Sequence, residues 1–83
     1  MWNGVITFRS TYDALRCQKT LGRFKIECKM GPTPRDLSAT CALAIYFYAH
    51  QIQMIQDAIK EKKLGYEGVF VEKDNMSWVE VQG

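Results

Sequence analysis

Apolar and polar side chains alternate most cleanly at residues 24–30, where Phe24, Ile26, Cys28 and Met30 fall on one side and Lys25, Glu27 and Lys29 on the other. A period of two with one wet face predicts a strand at a sheet edge. Gly31, Pro32, Thr33 and Pro34 are expected to end it, because proline has no N–H to give to a ladder. Residues 42–48 read Ala-Leu-Ala-Ile-Tyr-Phe-Tyr, apolar on both sides, which predicts a strand inside a sheet. Residues 4–8, rich in β-branched and aromatic side chains, predict a first strand, and residues 67–73, centred on Val69-Phe70-Val71, a fourth.

Helical spacing takes over twice. Ser10 offers an N-cap with Asp13 three residues on, and Ala14, Leu15, Gln18 and Leu21 form a stripe with Cys17 at its edge. The predicted helix covers residues 11–21, with Gly22 as its C-cap. A second helix over residues 49–64 turns Ile52, Ile55 and Ile59 inward, collects Lys60, Lys62 and Lys63 at its negative end, and is expected to be capped by Gly65. The order β-α-β-β-α-β is the ferredoxin-like pattern. It predicts an α+β sandwich in which a four-stranded antiparallel sheet, ordered 4-1-3-2, carries two helices on one face. The domain is expected to span residues 1–73, with residues 74–83 as a C-terminal extension. Asp74-Asn75 signals a turn and residues 77–81 alternate again, so the tail either returns as a short fifth strand beside the fourth, pairs with another chain, or stays partly ordered.

Composition changes this picture mainly by exclusion. A chain of 83 residues has room for one small core. A net charge of +2, with acids and bases interspersed, points to no nucleic acid and no membrane as partners. The longest apolar run, residues 42–49, is too short to cross a bilayer, and no signal peptide is evident. Three cysteines without a CxxC pair, and a single histidine, His50, match neither a disulfide framework nor a metal site, and no metal is expected. Glycine-rich phosphate loops are absent, and no cofactor is expected. A reducing cytoplasm is the expected location, where the thiols stay free.

The candidate chemistry lies in residues 32–41. Cys41 stands at the entrance to the apolar strand, where a thiol can be held firmly and still reach the surface. Reactive thiols work as thiolates, which cations and oriented N–H groups favour. Arg35 could be brought near by the loop, Ser38 and Thr40 have hydroxyl hydrogens to donate to a sulfur anion, and Pro32 and Pro34 stiffen the loop base. Equally, Cys41 could be a small apolar residue filling the strand entrance. Cys28 is expected in the core and Cys17 at its margin. His50 has no second histidine or paired carboxylates to work with. Tyr46 and Tyr48 share one strand face. Aromatic residues so placed stack bases in some RNA-binding modules. The aromatic-glycine signature of those modules is missing here, which favours burial against the tail or a dimer partner.

Ile6-Thr7-Phe8-Arg9-Ser10, the Ala14-Leu15 pair, the block Pro34-Arg35-Asp36-Leu37-Ser38-Ala39-Thr40-Cys41 and the ending Gly65-Tyr66-Glu67-Gly68-Val69-Phe70 together resemble a small bacterial family, the putative selenium/sulfur carrier protein-like chains. The resemblance covers roughly residues 4–71, and the family's usual glycine after the cysteine is Ala42 here. It implies that Cys41 is a carrier thiol. As a persulfide or selenosulfide it would shuttle a sulfur or selenium atom from a donor such as a cysteine desulfurase to an acceptor enzyme. Such a protein is a carrier rather than a turnover enzyme. The alternative is a noncatalytic ligand-binding or protein-interaction module, in which Arg35 and its loop bind an anion or peptide and the open sheet face pairs subunits in a homodimer.

Overall fold

The computed structural model describes residues 2–37, 39–73 and 77–81. It is an α+β fold of the ferredoxin-like type. Strand β1 (Gly4–Thr7) leads through helix α1 (Thr11–Arg23) to β2 (Cys28–Pro32) and β3 (Leu43–Phe47). A short 3-10 turn (Ala49–Gln51) opens helix α2 (Ile52–Lys62), followed by β4 (Gly68–Lys73) and β5 (Ser77–Glu80). The sheet is five-stranded in the order β2-β3-β1-β4-β5, and every neighbouring pair is antiparallel. The expected order of four strands is present, and the tail adds a fifth strand on β4. The turn expected at Asp74-Asn75 lies outside the described residues.

Register explains the layers. Ile6 faces Ile45 and Val69 across the sheet, and these side chains form one buried cluster with Ala14, Cys17 and Leu21 of α1 and Ile55, Ala58 and Ile59 of α2. Both helices therefore cover the same face. Burying each large aliphatic side chain there contributes about 1.5–3 kcal/mol. On the opposite face Val5 sits in register between Tyr46 and Phe70 and is fully buried without a helix above it. The rings of Tyr46 and Phe70 lean over Gly31 and Gly68, while Phe47 lies directly over Gly4 on the helix face. A β-carbon at Gly4 would come within 2.5 Å of the Phe47 ring.

Four local expectations are corrected. The edge strand is β2, Cys28–Pro32, which starts four positions and ends two positions later than the alternation of residues 24–30 suggests. Phe24 instead closes α1, and Lys25, at φ 59°, turns the chain before the strand begins. Pro32 belongs to the strand, and its missing N–H is harmless on an edge. Neither expected glycine caps a helix: Gly22 lies inside α1, and α2 ends on Lys63 at φ 50°. The fourth correction concerns α1, whose buried stripe is Ala14, Cys17 and Leu21, with Leu15 and Gln18 exposed. The Ser10 cap forms as expected, its hydroxyl oxygen accepting the Asp13 N–H at 3.2 Å.

Two outcomes follow. Gly4→Ala is expected to cost about 1–3 kcal/mol through overpacking against Phe47, measured by urea denaturation. Burial, with a smaller contribution from Cys28, pushes the Cys17 thiol from its ordinary value of 9.0 up to about 12. In the unfolded chain Cys17 ionises first, so stability is complete below pH 9 and falls as pH rises toward 12. The fall from this group approaches about 1.4 kcal/mol per pH unit. Urea midpoints measured across that window should decline less steeply in Cys17→Ala than in wild type.

Candidate functional site

Residues 33–41 leave the sheet edge and return to it, and their ends are tied together. The Thr33 N–H donates to the Ala42 carbonyl at 2.7 Å, and the Thr33 hydroxyl donates to the Cys41 carbonyl at 3.0 Å. This extends the β2-β3 ladder by one step and forms a neck. Above it, the Leu37 N–H donates to the Pro34 carbonyl at 3.1 Å, closing a turn with Arg35 and Asp36 exposed at its tip.

Below the neck, the Cys41 N–H donates to the Phe8 carbonyl at 3.1 Å. Cys41 thereby docks where β1 ends and α1 begins. It is 8% exposed and lies at the rim of the core. Its sulfur has polar company: the Leu43 N–H donates to it at 3.4 Å, and the Thr11 hydroxyl oxygen lies 3.8 Å away. Thr11 is the first residue of α1, so Sγ rests against the positive end of that helix. An anion at this sulfur thus meets one backbone N–H, one hydroxyl and a helix terminus.

The predicted site residues distribute unevenly around this sulfur. Pro32 and Pro34 flank Thr33 at the loop base. Thr40 is adjacent, but its N–H and hydroxyl donate to the Glu67 carboxylate at 3.0 and 3.4 Å, and the hydroxyl beside the sulfur is that of Thr11. Arg35 stands at the exposed tip and has no hydrogen bond or ion pair among the described residues. Ser38 lies outside the described residues. Sequence reasoning missed Thr11, Thr33 and Glu67. Thr11 and Glu67 act across the fold and left no local spacing to find, whereas Thr33, between two prolines, was visible as the one residue there with an N–H and a hydroxyl to donate.

Of the other cysteines, Cys17 is fully buried, and Cys28 is half-buried with its thiol pushed up by desolvation. Tyr46 donates its hydroxyl hydrogen to the Pro32 carbonyl, which fastens the ring over the edge strand. Tyr48 stacks on Trp2 at 4.5 Å and on His50 at 5.8 Å. Among the described residues, no three acidic, histidine or cysteine side chains gather to hold a metal ion. No described helix is long and apolar enough to cross a membrane.

A family model with the description putative Se/S carrier protein-like matches residues 3–71, which takes in β1 through most of β4 and the whole Cys41 loop. Neither curated proteins nor solved structures give a match.

Glu67 anchors the loop immediately before the sulfur, and hydrogen bonds to a charged acceptor are among the stronger ones. Glu67→Ala is expected to speed alkylation of Cys41 by iodoacetamide about five- to tenfold by releasing that anchor. Peptide mapping of the alkylated protein reads the rate. An unchanged rate, at an unchanged melting temperature, would show that the carboxylate does not govern access to the thiol.

Proposed function

The chain belongs to the putative Se/S carrier protein-like family, and from that premise we propose that it carries a sulfur or selenium atom on Cys41 between a donor and an acceptor enzyme. The observation that carries this reading is the polar seat of Sγ: an N–H donor at 3.4 Å, a hydroxyl at 3.8 Å and the first turn of α1 beside it. A helix N-terminus and hydrogen-bonding groups beside the sulfur are the surroundings in which reactive thiols are found.

Transfer is an exchange at sulfur. The Cys41 thiolate attacks the terminal sulfur of a persulfide on the donor. One S–S bond forms, the donor's own S–S bond breaks, and its electron pair leaves with the donor thiolate, which takes up a proton. Cys41 is left as a persulfide, and no external oxidant or reductant is consumed. Selenium on a donor thiol follows the same balance. The acceptor step repeats the exchange in the opposite sense.

Cys41 is 8% exposed, so in this reading the segment that carries it shifts to admit a donor. The loop that moves is short, and its tip carries Arg35, which we assign to the approaching persulfide anion. Thr40, released from Glu67, and Ser38 then lie on the same segment as the thiol. Three free cysteines fit a reducing compartment such as the cytoplasm. The burial of Cys41 favours a second reading, a noncatalytic interaction module in which the thiol only packs.

Incubation with a cysteine desulfurase and cysteine, followed by intact mass spectrometry, separates the two. The carrier reading expects one added sulfur atom on the wild type and none on Cys41→Ser. It also expects roughly tenfold slower loading in Arg35→Gln, since a close charge partner is lost. No adduct on the wild type, or an equal adduct on Cys41→Ser, leaves the interaction module.

A further inference from the structure

The face of α1 opposite its buried stripe is basic and partly apolar. Tyr12, Leu15, Arg16, Lys19 and Arg23 fall on it at helical spacing, and with Glu61 and Lys62 at the end of α2 they line a groove of about 850 Å³. Four of the eleven lysines and arginines lie here against one of the nine acids, so the remaining seven bases are outnumbered by eight acids elsewhere. The groove therefore holds all of the chain's positive excess.

That charge is available. Lys19 and Arg23 are exposed, and their side chains have no hydrogen bond or ion pair among the described residues. Arg16 donates to the carbonyls of Lys62 and Lys63 at 3.1 and 3.3 Å, and these neutral acceptors leave its charge uncompensated. Lys62 meets Glu61 at 3.9 Å, an exposed pair that binds weakly. Tyr12 and Leu15, 73% and 50% exposed, add an apolar strip along the same line.

We propose that this groove docks an acidic amphipathic helix of a partner protein, with its carboxylates on Lys19, Arg23 and Lys62 and its apolar side on Tyr12 and Leu15. A nucleic acid suits the groove less well, because Glu61 stands in its wall and two apolar side chains interrupt the cations. The position has a consequence. Tyr12, which lines the groove, follows Thr11 in the chain, and the Thr11 hydroxyl oxygen is 3.8 Å from the Cys41 sulfur. That the occupant delivers or collects the carried atom rests on the function proposed above; the docking itself rests on the groove alone.

The test uses a synthetic helical peptide with leucine on one face and glutamate on the other. Titrated into ¹⁵N-labelled protein, it is expected to shift the amides of Tyr12, Leu15, Lys19, Arg23 and Lys62, and to bind more weakly as salt rises. Lys19→Glu with Arg23→Glu is expected to lower affinity about tenfold or more. Both positions are exposed, and circular dichroism checks the fold. No binding, shifts confined to another surface, undiminished affinity in the double variant, or tighter binding of a single-stranded RNA oligomer to the same amides would each overturn the proposal. Loading of Cys41 by glutathione persulfide, a donor too small to need docking, should be equal in wild type and double variant. Its failure in the wild type overturns the carrier function, while the peptide titration still decides the docking.

Discussion

The backbone of β1 is buried along its whole length, and a buried N–H or carbonyl left unpaired costs about 1–3 kcal/mol. The structure is arranged around meeting that demand. β1 is paired on one side by β3 and on the other by β4. At its end the Thr7 carbonyl accepts the Glu67 N–H at 2.7 Å, and one residue on the Phe8 carbonyl accepts the Cys41 N–H at 3.1 Å. Two segments distant in sequence are thus drawn to the same strand end. One brings the thiol and the other brings the carboxylate that holds the thiol's loop.

This arrangement gives Cys41 two characters at once. Its side chain belongs to the core by contact, and its sulfur faces polar hydrogens by position. A thiol sealed among aliphatic groups behaves like Cys17, whose ionisation burial opposes strongly. The N–H of Leu43 and the hydroxyl of Thr11 belong to β3 and to the first turn of α1, so the seat of the sulfur is built from regular elements.

Much of the architecture was legible because the core obeys simple periods. The apolar run that became β3 lies where expected, and the tail takes the first of the three outcomes left open for it, β5 (Ser77–Glu80) beside β4. Local endings were harder. Gly22 and Gly65 carry the residue type that favours a C-cap, yet Lys25 and Lys63 take the left-handed positions because packing of Leu21 and Leu64 sets where each helix stops. Residues 24–30 alternate by composition, but Phe24 is needed against the core at the end of α1, which displaces the strand. Cys17 rather than Leu15 faces inward for a similar reason: the stripe is set by Ala14 and Leu21, and a small thiol fits between them. The loop at Cys41 was identifiable from its prolines, arginine and thiol. Its fastening by Thr33 and Glu67 was not, since a hydrogen bond between residues 40 and 67 has no signature in either segment alone.

The pairing of β1 also has a consequence for how the protein is made. Val5 finds its cross-strand neighbours at Tyr46 and Phe70, both far along the chain. As the polypeptide leaves the ribosome, the strand that is buried along its whole length in the fold emerges early with both hydrogen-bonding edges open, and it can be enclosed on its second side only when nearly all of the domain has been synthesised. Nascent chains halted short of β4 are therefore the form most exposed to misassociation and in greatest need of a chaperone.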